Sequence, residues 1–163
     1  IGQGSGLCAI VCAADRLARG QDADVLVAGG CDERSQAAPS SEGAACLVLG
    51  RPQGLQTARP RVRVAGWAMG RAGDYSATAA TALARAGIAA AEVDCVHGDT
   101  AAPRVWGRPE ECRLPDAPAA QSAFAAAAAY DQLCRGSARC ALVGAGSGES
   151  ASVALVLKRE ETT

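Results

Sequence analysis

Two apolar runs joined by a glycine-rich turn decide the fold, in the stretch Cys140-Ala-Leu-Val-Gly-Ala-Gly-Ser-Gly-Glu-Ser-Ala-Ser-Val-Ala-Leu-Val-Leu157. Each run is short and continuously apolar, which predicts strands over Cys140–Gly144 and Val153–Leu157 that are buried on both faces. The preceding segment, Ala119–Leu133, is rich in alanine and is followed by Arg135-Gly136, so it predicts a helix with a C-terminal stop. A helix followed by two buried strands favours a sheet covered by helices.

The N-terminal third of the chain repeats this arrangement. Apolar residues at helical spacing predict a helix over residues 7–19, and apolar runs predict strands over Asp24–Gly29 and Ala44–Leu49. The segment Asp24-Val-Leu-Val-Ala-Gly-Gly30 also resembles Cys140-Ala-Leu-Val-Gly-Ala-Gly146. The sequence therefore predicts a diverged duplication of a βαβ-type unit and an α/β fold.

Three further elements are predicted between the two repeats. Alternating apolar residues predict a strand over residues 61–66, and a short apolar run predicts another over Val93–His97. The alanine-rich segment Tyr75–Ala86 predicts a helix, with Asp74 as its N-cap and Gly87 as its C-terminal stop.

The composition excludes several classes of protein. Sixteen basic residues nearly balance seventeen acidic ones, so the net charge of −1 argues against a general nucleic-acid binder. With 49% hydrophobic residues, 39 alanines and only 3% aromatic residues, the 163-residue chain is expected to form a core of small, closely approaching side chains. No apolar run is long enough for a membrane helix and no leader opens the sequence, so we expect a soluble, cytoplasmic protein.

Eight cysteines invite a disulfide or zinc interpretation, but their spacing supports neither. None belongs to a C-x-x-C pair, and the single histidine cannot build a two-histidine zinc site. Cys46, Cys95 and Cys140 lie in apolar runs, where cysteine acts as a small hydrophobe. We therefore expect reduced, structural cysteines and no metal ion. The glycine loop after Gly144 leads into a strand rather than a helix, so no dinucleotide cofactor is expected.

A series of short motifs runs through nearly the whole chain: Gly2-Gln3-Gly4-Ser5-Gly6-Leu7, Ala23–Gly30, Ser41–Leu49, Ala86-Gly87-Ile88, Val93-Asp-Cys-Val-His-Gly-Asp-Thr100 and Gly144–Val156. In this order they resemble the β-ketoacyl synthase branch of the thiolase-like superfamily. The resemblance implies duplicated βαβ layers of the α-β-α-β-α type. Residues 1–50 would be the end of an N-terminal half, residues 51–60 a linker, and residues 61–159 the C-terminal half. The strands that open the first half of the family fold are missing here, so we expect a truncated or incomplete N-terminus.

The resemblance also assigns three candidate site residues. In the family, a cysteine thiolate at a helix N-terminus holds the acyl chain, and two histidines assist decarboxylation of the malonyl thioester. Gln3 stands at the nucleophile position, His97 at the first histidine position and Gln121 at the second. Because glutamine cannot form an acyl thioester, condensation by this chain alone is not expected.

Glutamine at the nucleophile position resembles the chain-length-factor subunits. This resemblance implies a subunit that pairs with an active ketosynthase and works with an acyl carrier protein in a polyketide or fatty-acid type synthase. The subunit would form a hetero- or homodimer, and the Asp24–Gly29 strand is the candidate contact. Two alternatives remain open: a malonyl-carrier decarboxylase that uses Gln3 and His97, and a non-catalytic scaffold.

Each candidate residue also has a plainer interpretation. Gln3 could be an ordinary loop residue, and His97 a hydrogen-bonded residue at the end of a strand. Gln121 could serve the structure rather than the chemistry. Cys8 is a candidate for a displaced nucleophile, but a thiol one turn inside a helix is expected to be buried and inert.

Overall fold

The computed structural model describes residues 5–20, 23–32, 43–51, 62–98, 120–146 and 151–160. The α-helices within these ranges are α1 (Ser5–Ala18), α2 (Tyr75–Ala86) and α3 (Gln121–Arg135). The strands are β1 (Val25–Asp32), β2 (Gly43–Gly50), β3 (Val62–Gly70), β4 (Cys95–Gly98), β5 (Cys140–Ala145) and β6 (Ser152–Arg159). A 3₁₀ turn at Ala90–Glu92 precedes β4.

The strands form two separate sheets. β1 and β2 make an antiparallel two-stranded ribbon, and the other strands form a four-stranded sheet in the order β3-β6-β5-β4. β4 and β5 are parallel, and α3 connects them, whereas the other neighbours are antiparallel. Each repeat predicted from the sequence therefore folds as a helix followed by an antiparallel strand pair: α1 with β1 and β2, and α3 with β5 and β6.

Strands β4 and β5 and most of β6 are buried on both faces, as their apolar runs predicted, whereas the edge strand β3 is partly exposed. Alternate residues of β5 point to opposite sides: Val143 belongs to the core formed with α1 and α3, and Leu142 to the core formed with α2. β6 alternates in the same way, with Leu155 on the first side and Val156 on the second. All four side chains are fully buried, so this sheet is the centre of the molecule.

The described residues are stacked in four layers. The ribbon packs with one face on α1 and α3, these helices lie on the four-stranded sheet, and α2 covers the far side of that sheet. The other face of the ribbon is exposed and apolar, and its largest side chains are Val25, Val27 and Val48. The continuously apolar strands of the ribbon predicted burial on both faces. Within the described residues, only the inward face is covered.

The helix α2 has the termini that the sequence predicted. The Asp74 side chain accepts a hydrogen bond from Ala77 N at 3.4 Å, and Gly87 ends the helix with a positive φ of 64°. The helix lies very close to β3, because a Cβ on Gly66 would overlap the main-chain carbonyl of Ala82. Small residues on both elements therefore set the distance between helix and sheet, as the alanine-rich composition predicted.

Every helix and strand predicted from the sequence is present, and the differences lie at the ends. β1 continues to Asp32, which pairs with Gly43 of β2, and β3 continues to Gly70, which pairs with Ser152 of β6. Pairing with a neighbouring strand extends these elements beyond their apolar runs, and a single segment of sequence does not contain that information.

Candidate functional site

The N-terminal ends of α1 and α3 meet in the core. The main-chain N–H of Leu7, in the first turn of α1, donates a buried hydrogen bond of 3.0 Å to Ser122 Oγ, in the first turn of α3. Gln121 is the first residue of α3 and the neighbour of Ser122. The second-histidine position proposed from the sequence therefore lies where two helices begin.

Small side chains allow the two helices to approach each other. The buried face of α3 is almost entirely alanine, and the buried face of α1 mixes alanine and glycine with larger aliphatic residues. The buried residues of α3 are Ser122, Ala123, Ala125, Ala126, Ala129 and Leu133. A face of methyl groups leaves room for backbone to come near backbone, so one serine hydroxyl can reach a main-chain N–H of the neighbouring helix.

A carboxylate from the ribbon caps α3. The main-chain N–H of Ala120 donates to Asp32 Oδ2 at 3.0 Å, although Asp32 lies at the end of β1. Ala120 itself offers no side-chain cap. Because the N-terminus of a helix carries a partial positive charge, the Asp32 carboxylate stabilises α3 both as an acceptor and as an anion.

Gln3, proposed at the nucleophile position, lies outside the described residues. The structure describes the chain from Ser5, the first residue of α1. Whether Gln3 lies beside Gln121 stays a prediction.

His97 lies inside β4 and not at the meeting point of the helices. Its side chain is buried, and Nε2 lies 3.1 Å from Oε1 of Gln132. An amide oxygen only accepts hydrogen bonds, so the two side chains are bonded in the tautomer that carries the proton on Nε2. Gln132 is about three helical turns beyond Gln121. The structure therefore bonds His97 to the C-terminal part of α3, whereas Gln121 begins the N-terminal end.

Cys8 does not have the surroundings of an activated nucleophile. Burial raises the pKa of the Cys8 thiol, and the neighbouring thiol of Cys12 raises it further. Burial likewise raises the pKa of Cys140, with a further contribution from the nearby Asp94 carboxylate. Both thiols are therefore held in the protonated form, which is the unreactive one.

The cysteines of the described residues differ in how far they are buried. Cys95 and Cys140 are buried, as their apolar runs predicted, but Cys46 is exposed on the outward face of the ribbon together with Cys31. In the described ranges, no three His, Cys, Asp or Glu side chains form a group that could hold a metal ion. Nor does that part of the chain contain a helix long and apolar enough to span a bilayer.

Sequence reasoning missed three residues of this region: Asp32, Ser122 and Gln132. Ser122 carried a signal, because it is a lone hydroxyl on the buried, otherwise apolar face of an alanine-rich helix. Asp32 and Gln132 carried none, since their partners lie far away along the chain.

The fold is similar to two solved ketosynthase-type structures. The chain matches the ishigamide ketosynthase/chain length factor with a TM-score of 0.77 and 24% sequence identity, over 99% of this chain and 56% of that one. It matches the crystal structure of a beta-ketoacyl synthase from Burkholderia phymatum STM815 with a TM-score of 0.78 and 16% identity, over 98% of this chain and 60% of that one. No protein-family model and no curated protein matches the chain.

Because both sequence identities are below 25%, these similarities establish the fold alone. The chain also spans less than two thirds of each of these solved chains, so the activity and partners of a whole ketosynthase do not pass to it directly. The likeness confirms the thiolase-like α/β architecture expected from the sequence motifs. The described residues thus adopt a β-ketoacyl synthase-like fold, and the chain spans somewhat more than half the length of these two solved chains.

Proposed function

We propose that the chain is a non-condensing, ketosynthase-like partner subunit of the chain-length-factor type. It pairs with an active ketosynthase and acts with it on acyl chains bound to a carrier protein, in a polyketide or fatty-acid type synthase. One observation carries the proposal: a chain with a ketosynthase fold has Gln3 in the turn where the resemblance expects the nucleophilic cysteine.

The chemistry of the nucleophile position supports a role without a covalent intermediate. The carboxamide of Gln3 has no ionisable group and cannot form a thioester. Cys8, the first cysteine in the chain, has a pKa raised by burial, so its thiol stays protonated at neutral pH. Neither residue supplies the thiolate that carbon–carbon bond formation by this family requires.

The two histidine positions support the same role. We propose His97 and Gln121 as the counterparts of the two family histidines. Gln121 carries no titratable group, and the Nε2 of the buried His97 side chain is engaged by the half-buried Gln132. Neither is expected to donate a proton to a malonyl thioester, which favours a partner subunit over an independent decarboxylase.

The outward face of the β1–β2 ribbon is the proposed contact with the ketosynthase. Val27 is 66% exposed and Val48 is 60% exposed on this face, and the alternate residues beside them are also uncharged. Contiguous apolar surface of this kind marks an interaction site. The β3 edge of the four-stranded sheet is a poorer candidate, because β3 carries a β-bulge near Val64 and its Trp67 carbonyl accepts a hydrogen bond from Arg85.

Three mixtures test the proposal: the chain with malonyl-loaded carrier protein, a candidate ketosynthase with the same carrier, and all components together. We expect the chain to copurify with the ketosynthase and products to form only in the complete mixture. Release of carbon dioxide by the chain and carrier alone would establish the decarboxylase instead. If the chain neither binds the ketosynthase nor releases carbon dioxide, the scaffold interpretation stands and the proposal is wrong.

A further inference from the structure

The two helices that begin at the candidate site are capped from distant parts of the chain. Leu7 N of α1 donates to Ser122, which is 115 residues away, and Ala120 N at the start of α3 donates to Asp32, 88 residues away. A helix N-terminus is ordinarily capped by the side chain of the N-cap residue, which directly precedes the first turn. Here α3 caps α1, and the ribbon caps α3.

The bond between Leu7 and Ser122 lies in a dry environment. Leu7 is fully buried and Ser122 is 1% exposed. Ile10 and Val11 of α1 and Ala123 and Ala126 of α3, which lie on the buried faces of the two helices, belong to one apolar core. Water cannot replace the serine hydroxyl there, so the N–H of Leu7 keeps its partner only while the two helix ends stay together.

This bond connects the elements on which the proposed site depends. Ser122 directly follows Gln121, and Leu7 lies in the first turn of the helix that follows Gln3 in the sequence. Any shift of the first turn of α3 relative to α1 must break the bond or move both turns together.

We propose that Ser122 is a positioning residue that fixes the first turn of α1 against the start of α3, where Gln121 lies. The inference rests on the proposed function, since it gives Ser122 a part in how the chain controls the products of its partner. Ser122 acts through its bond with Leu7 and not through contact with a substrate.

The test compares three variants in complex with the ketosynthase. Ser122→Ala removes the acceptor, and Ser122→Thr keeps it. Ser137→Ala is the matched control, because the Ser137 hydroxyl donates to the Gln132 carbonyl at 3.0 Å at the exposed, opposite end of α3. Each variant is assayed for hydrogen exchange of the Leu7 amide and for the chain-length distribution of the products at equal amounts of complex.

We expect Ser122→Ala to speed exchange of the Leu7 amide by about tenfold or more, because the buried N–H loses its acceptor. The ratio of longer to shorter products should change by at least about twofold at an unchanged yield of complex, since a displaced turn alters the site while the fold persists. Ser122→Thr should restore both readouts, and Ser137→Ala should leave both as in the wild type.

Faster exchange with unchanged products would show that the bond is only structural and would overturn the inference, as would wild-type behaviour in both readouts. If Ser122→Ala yields no folded chain, Asp32→Ala replaces it, because it removes the bond to Ala120 N at the start of α3. This variant is judged by the same readouts, the exchange of the Leu7 amide and the chain-length distribution of the products. A wild-type chain that neither binds the ketosynthase nor alters its products would refute the proposed function itself, whatever the variants do.

Discussion

The buried imidazole of His97 and the half-buried carboxamide of Gln132 form a hydrogen bond, with 3.1 Å between Nε2 and Oε1. The bond joins the last part of β4 to the C-terminal part of α3, and these elements are linked in sequence only by the long segment between residues 98 and 120. It makes His97 a link between sheet and helix.

Removing the acceptor of this bond should lower the stability of the fold. Gln132→Ala leaves the buried Nε2–H of His97 without its partner, and we expect a loss of about 1–3 kcal/mol in the free energy of unfolding. Urea denaturation measures the loss. Arg135→Ala on the same helix is the control, since its ion pair with Asp131 is exposed and should contribute less than about 1 kcal/mol. Equal stability of Gln132→Ala and wild type would contradict a structural role for the pair.

The carboxylate of Asp32 should stabilise α3 through both its oxygen and its charge. Asp32→Ala removes the acceptor for Ala120 N, and we expect a loss of about 1 kcal/mol in the free energy of unfolding. Asp32→Asn keeps an acceptor oxygen, so it should lower the free energy of unfolding by less than Asp32→Ala does. The loss that remains in Asp32→Asn measures the contribution of the negative charge at the helix N-terminus. Added salt should shrink the difference between wild type and Asp32→Asn, and a difference that grows with salt would exclude the charge effect.

The raised pKa of Cys8 predicts a loss of stability in alkaline solution. The folded state binds the thiol proton more strongly than the unfolded state, so the stabilisation is complete below the usual thiol pKa of about 8.5. It is lost as the pH rises from that value through the higher pKa of the folded state. Cys8→Ala should therefore show a flatter decline of unfolding free energy between neutral and alkaline pH. A decline as steep as that of the wild type would show that Cys8 does not titrate differently in the two states.

Thiol labelling can locate the proposed contact surface with native residues. Cys31 and Cys46 are exposed on the outward face of the ribbon, and Cys12 is exposed on α1, away from that face. We expect maleimide to label all three cysteines in the isolated chain. Binding of the ketosynthase should slow labelling of Cys31 and Cys46 by at least about tenfold, because the contact excludes water and reagent. Labelling of Cys12 should not change.

Two other results of the labelling experiment would place the contact elsewhere. Protection of Cys12 alone would move it to α1. Protection of none of the three cysteines in a verified complex would exclude both surfaces and leave β3 as the next sheet edge to examine.

The repeat of helix and paired strands could be predicted because its signal is local. Continuous apolar runs such as Cys140–Gly144 occur where a strand is covered on both faces, and alanine-rich runs between turn residues occur in helices. The termini of α2 could be predicted in the same way, since Asp74 and Gly87 form hydrogen bonds with residues only a few positions away in the chain. The family motifs gave the fold on the same basis, because they are contiguous in the chain.

The candidate site was predictable only in part. Gln3 is visible in the sequence, and its assignment to the nucleophile position stays a prediction on which the proposed function depends. The environment of His97 is not visible, since the preceding apolar run is compatible with either a catalytic or a structural histidine. Its partner, Gln132, becomes a neighbour only after α3 crosses over to connect two parallel strands.

The sequence by itself therefore determined the class of fold and the order of its elements, and it is the sole basis for the prediction that Gln3 stands at the nucleophile position. These properties depend on residue type and on spacing within a few turns of chain. Tertiary structure alone decided that Ser122 caps α1, that Asp32 caps α3 and that, among the residues the structure describes, the ribbon has one exposed apolar face. Each of these depends on contacts between distant segments, or on their absence, and a polar residue far along the chain gives no local sign of the partner that it will meet.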